Sequence, residues 1–473
     1  MMDTTIVSVA LPRIGEDLDA DVSALQWVLT GYLLALASLI LLSGALGDRF
    51  GRRRVFLVGT AWFAVASAAC GLAPSIETLV AARLLQGVGA ALLTPGSLAI
   101  IQASFVEDDR APAVGAWSGL GGVAAAVGPL VGGWLVDGPG WRWAFFVNLP
   151  FAAAAILCAR VAVPETRDEH PPARLDVLGA GLAVLGLGSA TWALTEAGPR
   201  GWTAPTVLGG AAVAAIAGAA FVVHLRRASD PLLPPRLFRI RAFTVTNLAT
   251  AALYAAIGVA FFLVAYELQV AAGWSALRAG AALLPATALM LLLSARSGAL
   301  ARRIGPRAQL TVGPVVTALG LLALAQIGSD ADWLRDVVPG ATLFGIGLVT
   351  FVAPLTATVM GAVDPDHVST ASGINNAIAR TASLAALAVV PVVSGLDDAV
   401  GTAEVTSAYH TALVIAAGLA LAAAPIGYLG LRDPTRSGRS ARASYCAVDG
   451  PPLQPDPRRC PLAVAPGTRA EAE

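Results

Sequence analysis

Lysine is absent from this chain of 473 residues, and all 31 of its basic residues are arginines. Charged residues of both signs make up only 13% of the chain, and they form short clusters between apolar runs, which argues against a nucleic-acid surface. The four cysteines lie far apart, and the four histidines accompany no cysteine or carboxylate motif. A disulfide framework, a metal site, a cofactor and a membrane-embedded enzyme are therefore not expected.

Apolar residues, in contrast, make up 56% of the chain, and the mean hydropathy is +0.71. A water-soluble core cannot enclose that much apolar surface. Most apolar stretches reach the roughly 20 residues that a helix needs to cross a hydrocarbon layer of ~30 Å. The composition therefore predicts an all-α polytopic membrane protein with the lipid bilayer as its solvent.

Charged residues, glycines and prolines bound thirteen full spans and one short apolar segment. The short segment, residues 6–14, covers half a span, and we interpret it as a truncated first helix rather than an interfacial stub. The full spans are predicted near residues 26–46, 55–73, 78–101, 112–136, 143–163, 175–195, 206–224, 243–266, 279–300, 308–327, 337–360, 370–395 and 408–430.

Arginine is unevenly distributed between the loops, and this bias predicts the orientation of the chain. If residues 6–14 count as span 1, one set of alternating loops holds most of the loop arginines, from Arg49 to Arg307. Because basic loops remain in the cytoplasm, both termini are predicted to be cytoplasmic, which requires an even number of spans and supports fourteen. Residues 432–473 lack apolar periodicity and are predicted to form a disordered cytoplasmic tail, without the folded output module that a membrane sensor would need.

The loop between the second and third spans reads Gly44-Ala-Leu-Gly-Asp-Arg-Phe-Gly-Arg-Arg-Arg54. One interpretation is a basic anchor that follows the orientation bias. In the other, the glycines let two helix ends approach closely, and Asp48 pairs with an arginine or caps a helix N-terminus in one conformation only. The candidate residues of such a conformational switch are Gly44, Gly47, Asp48, Arg49, Gly51, Arg52 and Arg53.

Arg83 interrupts an apolar span, where an unpaired guanidinium costs about 3 kcal/mol or more. We expect its side chain to face a cavity or a carboxylate. Gln86 and Gly87 follow three and four residues later, so one helix face carries the charge, an amide and a gap in the side-chain wall. A structural ion pair is the alternative to a functional role.

The predicted span at residues 112–136 contains glycines at spacings of four, which favours close helix packing. A proline within it removes one helical hydrogen bond, and the adjoining glycines give the helix room to bend. Packing alone would explain the glycines, but the proline also indicates a hinge. The candidate hinge residues are Gly128, Pro129, Gly132 and Gly133.

These motifs resemble the major facilitator superfamily, and more narrowly its fourteen-span drug:proton antiporter family. The resemblance covers nearly the whole chain, and Gly128-Pro129 is similar to the span-5 signature associated with antiporters rather than importers. Residues 44–54 resemble the superfamily's loop signature between spans 2 and 3, and residues 83–89 resemble its span-4 signature. The segments that resemble the fourteen-span branch are residues 3–12, 141–150, 237–238 and 269–285.

The resemblance implies an N-terminal half at residues 1–163 (spans 1–6), two extra spans at residues 164–242 and a C-terminal half at residues 243–431 (spans 9–14), with nested repeats in each half. In the fourteen-span branch, ten or more apolar residues precede the Asp-x-Thr motif within the first span. This sequence lacks them, so a misassigned start codon is expected.

The implied mechanism is alternating access, in which the halves rock about a central cavity while protonation of a membrane carboxylate biases the open side. The implied function is proton-driven efflux of hydrophobic or amphipathic small molecules, such as drugs and antibiotics, by a monomer in the cell (inner or plasma) membrane. Uptake or exchange of a metabolite is the alternative, and the antiporter-like Gly128-Pro129 argues against it. The cavity is expected to be largely apolar with a few aromatic residues.

By analogy with the family motif, Asp3 is the first candidate for the proton-carrying acid, and Arg83 is the partner that senses its charge. Glu267, near the outer end of span 9, is either a second candidate acid or a solvated rim residue. Other polar residues at apparent membrane depth could line the cavity or could stabilise helix contacts: Gln86, Asn148, Asn247, Asn375, Asn376 and Arg380.

Overall fold

The structure is a computed structural model that describes residues 2–104, 124, 127–167, 175–228, 231–363, 368–396, 399 and 401–431. All regular elements in these residues are helices. The predicted tail at residues 432–473 lies outside the described residues, as does most of the predicted span at residues 112–136.

The first part of the chain forms nine described helices. They are α1 (Met2–Leu18), α2 (Val22–Phe50), α3 (Arg52–Gly71), α4 (Ile76–Ser104), α5 (residues 127–137), α6 (Trp143–Phe146), α7 (Asn148–Ala162), α8 (Val177–Arg200) and α9 (Pro205–Arg227).

The second part begins with a 3-10 turn at Leu237–Arg239 and includes a π-helical turn at Trp333–Val337. Its helices are α10 (Arg241–Val270), α11 (Ala276–Gly280), α12 (Leu284–Ile304), α13 (Pro306–Leu324), α14 (Val338–Gly361), α15 (Val368–Ser394) and α16 (Thr402–Gly430).

Twelve helical segments in the described part of the chain are long and apolar enough to cross a membrane. Their bounds agree with the predicted spans to within a few residues, and large apolar side chains remain exposed on several of them, such as Ile216 and Leu292. In helices of this length, every interior backbone group is hydrogen-bonded within the segment, as a hydrocarbon environment requires. The chain is therefore a multi-pass α-helical membrane protein, and the predicted fold class is confirmed.

The first helix is longer than its apolar pattern predicts. The pattern covers residues 6–14, whereas α1 extends from Met2 to Leu18. The additional residues at its C-terminal end include the charged Glu16 and Asp17, and Arg13 donates a hydrogen bond to Glu16 on the exposed side. Hydropathy underestimates this helix because its last turn lies outside the apolar region.

Helices α1–α7 and α10–α16 form two packed groups, joined by α8 and α9. Helix α4 packs on α2 and α3 in the first group, while α10 packs on α15 and α16, and α13 packs on α14, in the second. Helix α8 contacts α9 and also contacts α2 and α15, one helix from each group. The predicted boundaries at residues 1–163, 164–242 and 243–431 stay a prediction.

Asp176, the residue directly before α8, fixes the start of that helix. Its carboxylate accepts hydrogen bonds from the amides of Gly179 (2.7 Å) and Leu232 (3.1 Å), and it lies 2.6 Å from Nε2 of His224 in α9. Burial alone would raise the pKa of Asp176, but these hydrogen bonds outweigh it and the pKa is lowered. The cluster therefore ties α8, α9 and the following segment together.

The two groups touch where α2 packs on α15 and also where α1 and α5 meet α10 and α11. Gln269 in α10 donates a hydrogen bond from Nε2 to the carbonyl of Val9 in α1, at 3.0 Å. Asp137, the last residue of α5, accepts hydrogen bonds from the amides of Ala276 (3.1 Å) and Leu277 (2.9 Å). A carboxylate of the first group therefore caps the first turn of α11 in the second group. Helix α1 therefore lies directly at the junction between the groups.

Candidate functional site

The structure brings Asp3 and Arg83 together in a buried ion pair. Oδ2 of Asp3 accepts a hydrogen bond from Nη1 of Arg83 at 2.8 Å. The Arg83 side chain is 0% exposed and that of Asp3 is 5% exposed. Arg83 thus faces a carboxylate, one of the two surroundings that its position in an apolar span predicts.

Neutral side chains complete the coordination of the Asp3 carboxylate. Its Oδ1 accepts hydrogen bonds from Nε2 of Gln86 (3.0 Å) and from Nδ2 of Asn148 (2.8 Å). Both amides also donate to Oγ of Ser67, which in turn donates to the carbonyl of Phe145 at 2.9 Å. Side chains from α1, α3, α4 and α7 therefore meet at one carboxylate.

Arg83 is held from its other side by α2. Its Nε donates to the carbonyl of Val28 at 2.9 Å, and its guanidinium carbon lies 4.3 Å from the ring centre of Tyr32. Its Nη2 is buried and has no hydrogen-bond partner among the described residues. Stacking on a tyrosine offsets part of the desolvation of a guanidinium. The pair is neutral as a whole, which makes a charged carboxylate tolerable at this depth.

The predicted switch loop lies at the other end of α2, where it contacts the segment that follows α7. The amide of Arg53 donates to Oε1 of Glu165 (3.1 Å), and Nη1 of Arg53 donates to the carbonyl of Val163 (2.9 Å). Arg52 pairs with Asp48 at 2.9 Å. Glu165 and Arg54 are 3.7 Å apart. Asp48 therefore pairs with an arginine, and its role in a switch stays a prediction.

The three glycines of the switch loop differ in how closely they are packed, and their predicted role in the approach of two helix ends stays a prediction. Gly51 has a φ of +111°, and a Cβ atom on it would lie 2.5 Å from Oε1 of Glu165. A Cβ atom on Gly44 or Gly47 would have its nearest neighbour at 3.9 Å, an ordinary contact. Only the residue at the α2–α3 junction needs the left-handed conformation, because the helices bend there. Of the other switch candidates, Arg49 has its guanidinium carbon 5.8 Å from the ring centre of Phe50.

The candidate hinge residues in α5 lie against both groups of helices. A Cβ atom on Gly132 would lie 2.9 Å from Cα of Ile6, and one on Gly128 would overlap Thr5, both in α1. A Cβ atom on Gly133 would overlap Leu277 of α11, where Gly280 packs on Pro129. These glycines therefore permit close packing across the junction, while the hinge role of Pro129 and its neighbours stays a prediction.

Glu267 in α10 is completely buried, so the interpretation of this residue as a solvated rim group is wrong. Its Oε1 accepts a hydrogen bond from Oγ1 of Thr406 in α16 at 2.6 Å. Its Oε2 has no hydrogen-bond partner, and no cation pairs with the carboxyl, in the part of the chain that the structure describes. Its predicted role in proton coupling remains untested.

The remaining polar candidates lie in different environments in the two groups of helices. Gln86 and Asn148 donate hydrogen bonds to the Asp3 carboxylate. Nδ2 of Asn375 in α15 donates to Oδ1 of Asn247 (3.0 Å) and to Oγ1 of Thr250 (2.8 Å) in α10, so this pair joins two helices. Asn376 donates to its own helix at Ser372. Arg380 is half-buried one turn further along α15.

A small cavity with mostly apolar walls lies at the junction between the groups. It is bounded by α1, α5, α10, α11 and the start of α12, with Ser8, Pro129, Phe261 and Leu283 among its lining residues. None of the six predicted cavity residues lines it. Whether those six contact cargo stays a prediction.

Four residues that contact the candidate site residues were not predicted from the sequence: Tyr32, Ser67, Glu165 and Thr406. A serine or tyrosine in an apolar span is too common to single out, and the partners of Ser67 and Tyr32 lie in other helices. Glu165 had a usable signal, because an acid that follows a span at the arginine-rich end can pair with the switch loop.

Comparison with known proteins places this geometry in a family. The family profile of the Major Facilitator Superfamily matches residues 1–388. The tetracenomycin C resistance and export protein of Streptomyces glaucescens is 36% identical over 394 residues, which cover 83% of this chain and 72% of that protein. The puromycin resistance protein pur8 of Streptomyces alboniger is 34% identical over 451 residues, covering 91% and 88% of the two chains.

Solved structures share the fold at lower sequence identity. The crystal structure of an auto-inhibited POT family peptide transporter superposes with a TM-score of 0.62 at 15% identity, and the match covers 92% of this chain and 98% of that one. At this identity the likeness concerns the helical architecture alone.

Proposed function

This chain belongs to the major facilitator superfamily, and on that premise we propose that it exports hydrophobic or amphipathic small molecules, drugs and antibiotics among them, in exchange for protons. The resistance and export proteins among its relatives support the export of such cargo. The observation that carries the proton-driven part is the buried pair of Asp3 and Arg83. An ionisable residue inside the membrane is costly, and it marks a proton or ion path by default.

The coupling follows from what a proton does to this pair. Protonation of Asp3 removes the negative charge and leaves the buried guanidinium of Arg83 without its counter-charge, so the network must rearrange. Asp3 lies on α1, two and three residues before Thr5 and Ile6, which pack against Gly128 and Gly132 of α5. Because α1 also contacts α10, a shift of this helix would bias the packing of the two groups of helices.

The same proposal includes the placement of the protein. The arginine bias supports a cell-membrane protein with cytoplasmic termini, so cargo would leave towards the side opposite the switch loop. A monomer suffices, since the buried pair and the junction between the groups are formed within one chain.

The test is dye transport in inverted membrane vesicles that contain the full chain. The fluorescent dye Hoechst 33342 serves as cargo, respiration supplies the proton gradient, and an uncoupler is added during transport. We expect the uncoupler to abolish dye accumulation inside the inverted vesicles and Asp3→Asn to reduce it at least tenfold. Asp19→Asn, the same change at an exposed acid just beyond α1, is the matched control and should leave transport unchanged.

Three outcomes would contradict the proposal. Dye transport that persists after the gradient is collapsed rules out proton antiport. Transport by Asp3→Asn at the wild-type rate and with wild-type gradient dependence rules out Asp3 as the coupling acid. Accumulation in right-side-out vesicles instead of inverted ones would favour uptake over export.

A further inference from the structure

A second arginine, Arg380, lies at the middle of a membrane-spanning helix. It is twelve residues after Val368 and fourteen before Ser394, the ends of α15, which corresponds to about 18 Å and 21 Å along the helix axis. An arginine at a helix end extends its side chain to the headgroups, but one at the middle of the bilayer cannot reach them. The guanidinium of Arg380 must therefore be accommodated within the protein.

The side chains around Arg380 place it between the two groups of helices. Gly373, two turns earlier on the same face of α15, contacts Leu41 of α2. Ser383, three residues later, donates a hydrogen bond to the carbonyl of Tyr254 in α10 at 2.8 Å. Because this hydrogen bond lies one turn of α15 from Arg380, Arg380 and Tyr254 are neighbours where α15 packs on α10, and α15 also packs on α2.

Arg380 has no hydrogen-bond or ion-pair partner among the residues that the structure describes. Its side chain is half-buried, and none of its nitrogen atoms is both fully buried and without a hydrogen-bond partner. Asp3, the buried acid of the first group, is already paired with Arg83, whose guanidinium stacks on the Tyr32 ring. Glu267 lies thirteen residues beyond Tyr254 on α10, about 20 Å along the axis. Among the described residues, a cation near the middle of α15 thus has no protein anion as its partner.

We propose that Arg380 receives the anion from the cargo, by binding a carboxylate or phenolate carried by an aromatic small molecule between α2, α10 and α15. A guanidinium recognises planar oxyanions through paired N–H donors, and the interaction is strong where water is excluded. The half-buried Tyr254 beside Arg380 offers an aromatic surface for the body of such a molecule. This inference names the cargo class for the export proposed above and rests on that function for its physiological meaning.

The experiment measures binding rather than transport, so it needs no proton gradient. The purified full chain is placed in phosphatidylcholine nanodiscs at neutral pH, and quenching of tryptophan fluorescence reports the Kd. The probes are anthraquinone-2-carboxylate and its neutral carboxamide, which match in size and shape. Variants are Arg380→Gln, Arg380→Lys and, as a matched control, Arg278→Gln, an exposed arginine beside Trp274.

We expect wild type to bind the carboxylate at least tenfold more tightly than the carboxamide, because a hydrogen bond to a charged group changes affinity by about tenfold to a hundredfold. Arg380→Gln should abolish this preference without changing carboxamide binding, which also shows that the variant is folded. Arg380→Lys should keep part of it, and Arg278→Gln all of it.

Equal affinity of wild type for the two probes, or no binding of the carboxylate, overturns the proposal. An equal loss of both probes in Arg380→Gln also overturns it, since that result indicates a packing role. A carboxylate preference that depends on Arg380 in a protein that fails the proton-gradient test would leave this inference intact and refute the antiport function instead.

Discussion

The two groups of helices differ in whether their buried acids and arginines form ion pairs. In α1–α7, Asp3 and Arg83 are 2.8 Å apart, and two amides complete the shell around the carboxylate. In α10–α16, Glu267 has one hydrogen-bond donor, and Arg380 is without an ion-pair partner in the described residues. The first group pairs its acid and base, whereas the second keeps them apart on different helices.

This difference assigns different expectations to the two acids. A buried carboxylate that is paired and fully hydrogen-bonded can keep its charge, while one without a cation is tolerated far better as a neutral acid. Asp3 is therefore expected to need Arg83 and its amide donors, whereas Glu267 is expected to tolerate replacement by a neutral amide. Three experiments test this contrast.

The largest effect is expected from removal of one partner of the charged pair. Arg83→Ala leaves the Asp3 carboxylate buried without a cation, and should destabilise the protein by about 3–5 kcal/mol. Thermal unfolding in nanodiscs measures the loss. The double variant Asp3→Asn with Arg83→Ala should recover much of the stability but none of the proton-driven transport, because the pair is then absent rather than broken.

Additive losses in the double variant would show that Asp3 and Arg83 do not interact energetically. In that case the contrast between the two groups of helices fails, since the pair would contribute no more than two separate buried polar residues.

An intermediate loss of stability is expected when one buried asparagine of each group is replaced by alanine. Asn148→Ala removes a donor to a charged carboxylate, worth about 1.5–3 kcal/mol. Asn375→Ala removes donors to the neutral Asn247 and Thr250, and interhelical hydrogen bonds of this kind average about 0.6 kcal/mol in membranes. Thermal unfolding of the two variants side by side compares them. Equal shifts would mean that the donor to Asp3 contributes no more to stability than a donor to a neutral amide, which contradicts the contrast.

The smallest effect is expected at Glu267. Glu267→Gln keeps the shape and the hydrogen bond from Thr406 and changes only the ability to ionise, so the free energy of unfolding should change by less than about 1 kcal/mol. The same acid-to-amide change at Asp3 leaves Arg83 unpaired and should cost several times more. A large loss of stability in Glu267→Gln would reveal a charged Glu267 with a partner, and would remove the asymmetry.

Local patterns were sufficient to predict the helices and much of the site. Apolar runs located the membrane-spanning helices to within a few residues, because burial in lipid depends on composition along a single helix. The cost of an arginine in an apolar span was enough to predict that Arg83 faces a carboxylate or a cavity. Its pairing with Asp3 was expected only through resemblance to a family, since eighty residues separate them.

Other features depended on which helices meet, and no pattern in the chain predicted them. Ser67 joins the site because α3 packs on α4, and Glu165 contacts the switch loop because the segment after α7 returns to the α2–α3 junction.

Residues that are adjacent or one helical turn apart were enough to indicate a lipid solvent, the positions and lengths of the predicted spans, and the family that the motifs resemble. Helix packing, in contrast, established that Asp3 accepts three hydrogen bonds, that Glu267 is buried with one donor among the described residues, and that Arg380 has no counter-charge among them. The reason is physical: the free energy of a buried charge depends on the groups within a few ångströms of it, and helix packing brings those groups from distant parts of the chain.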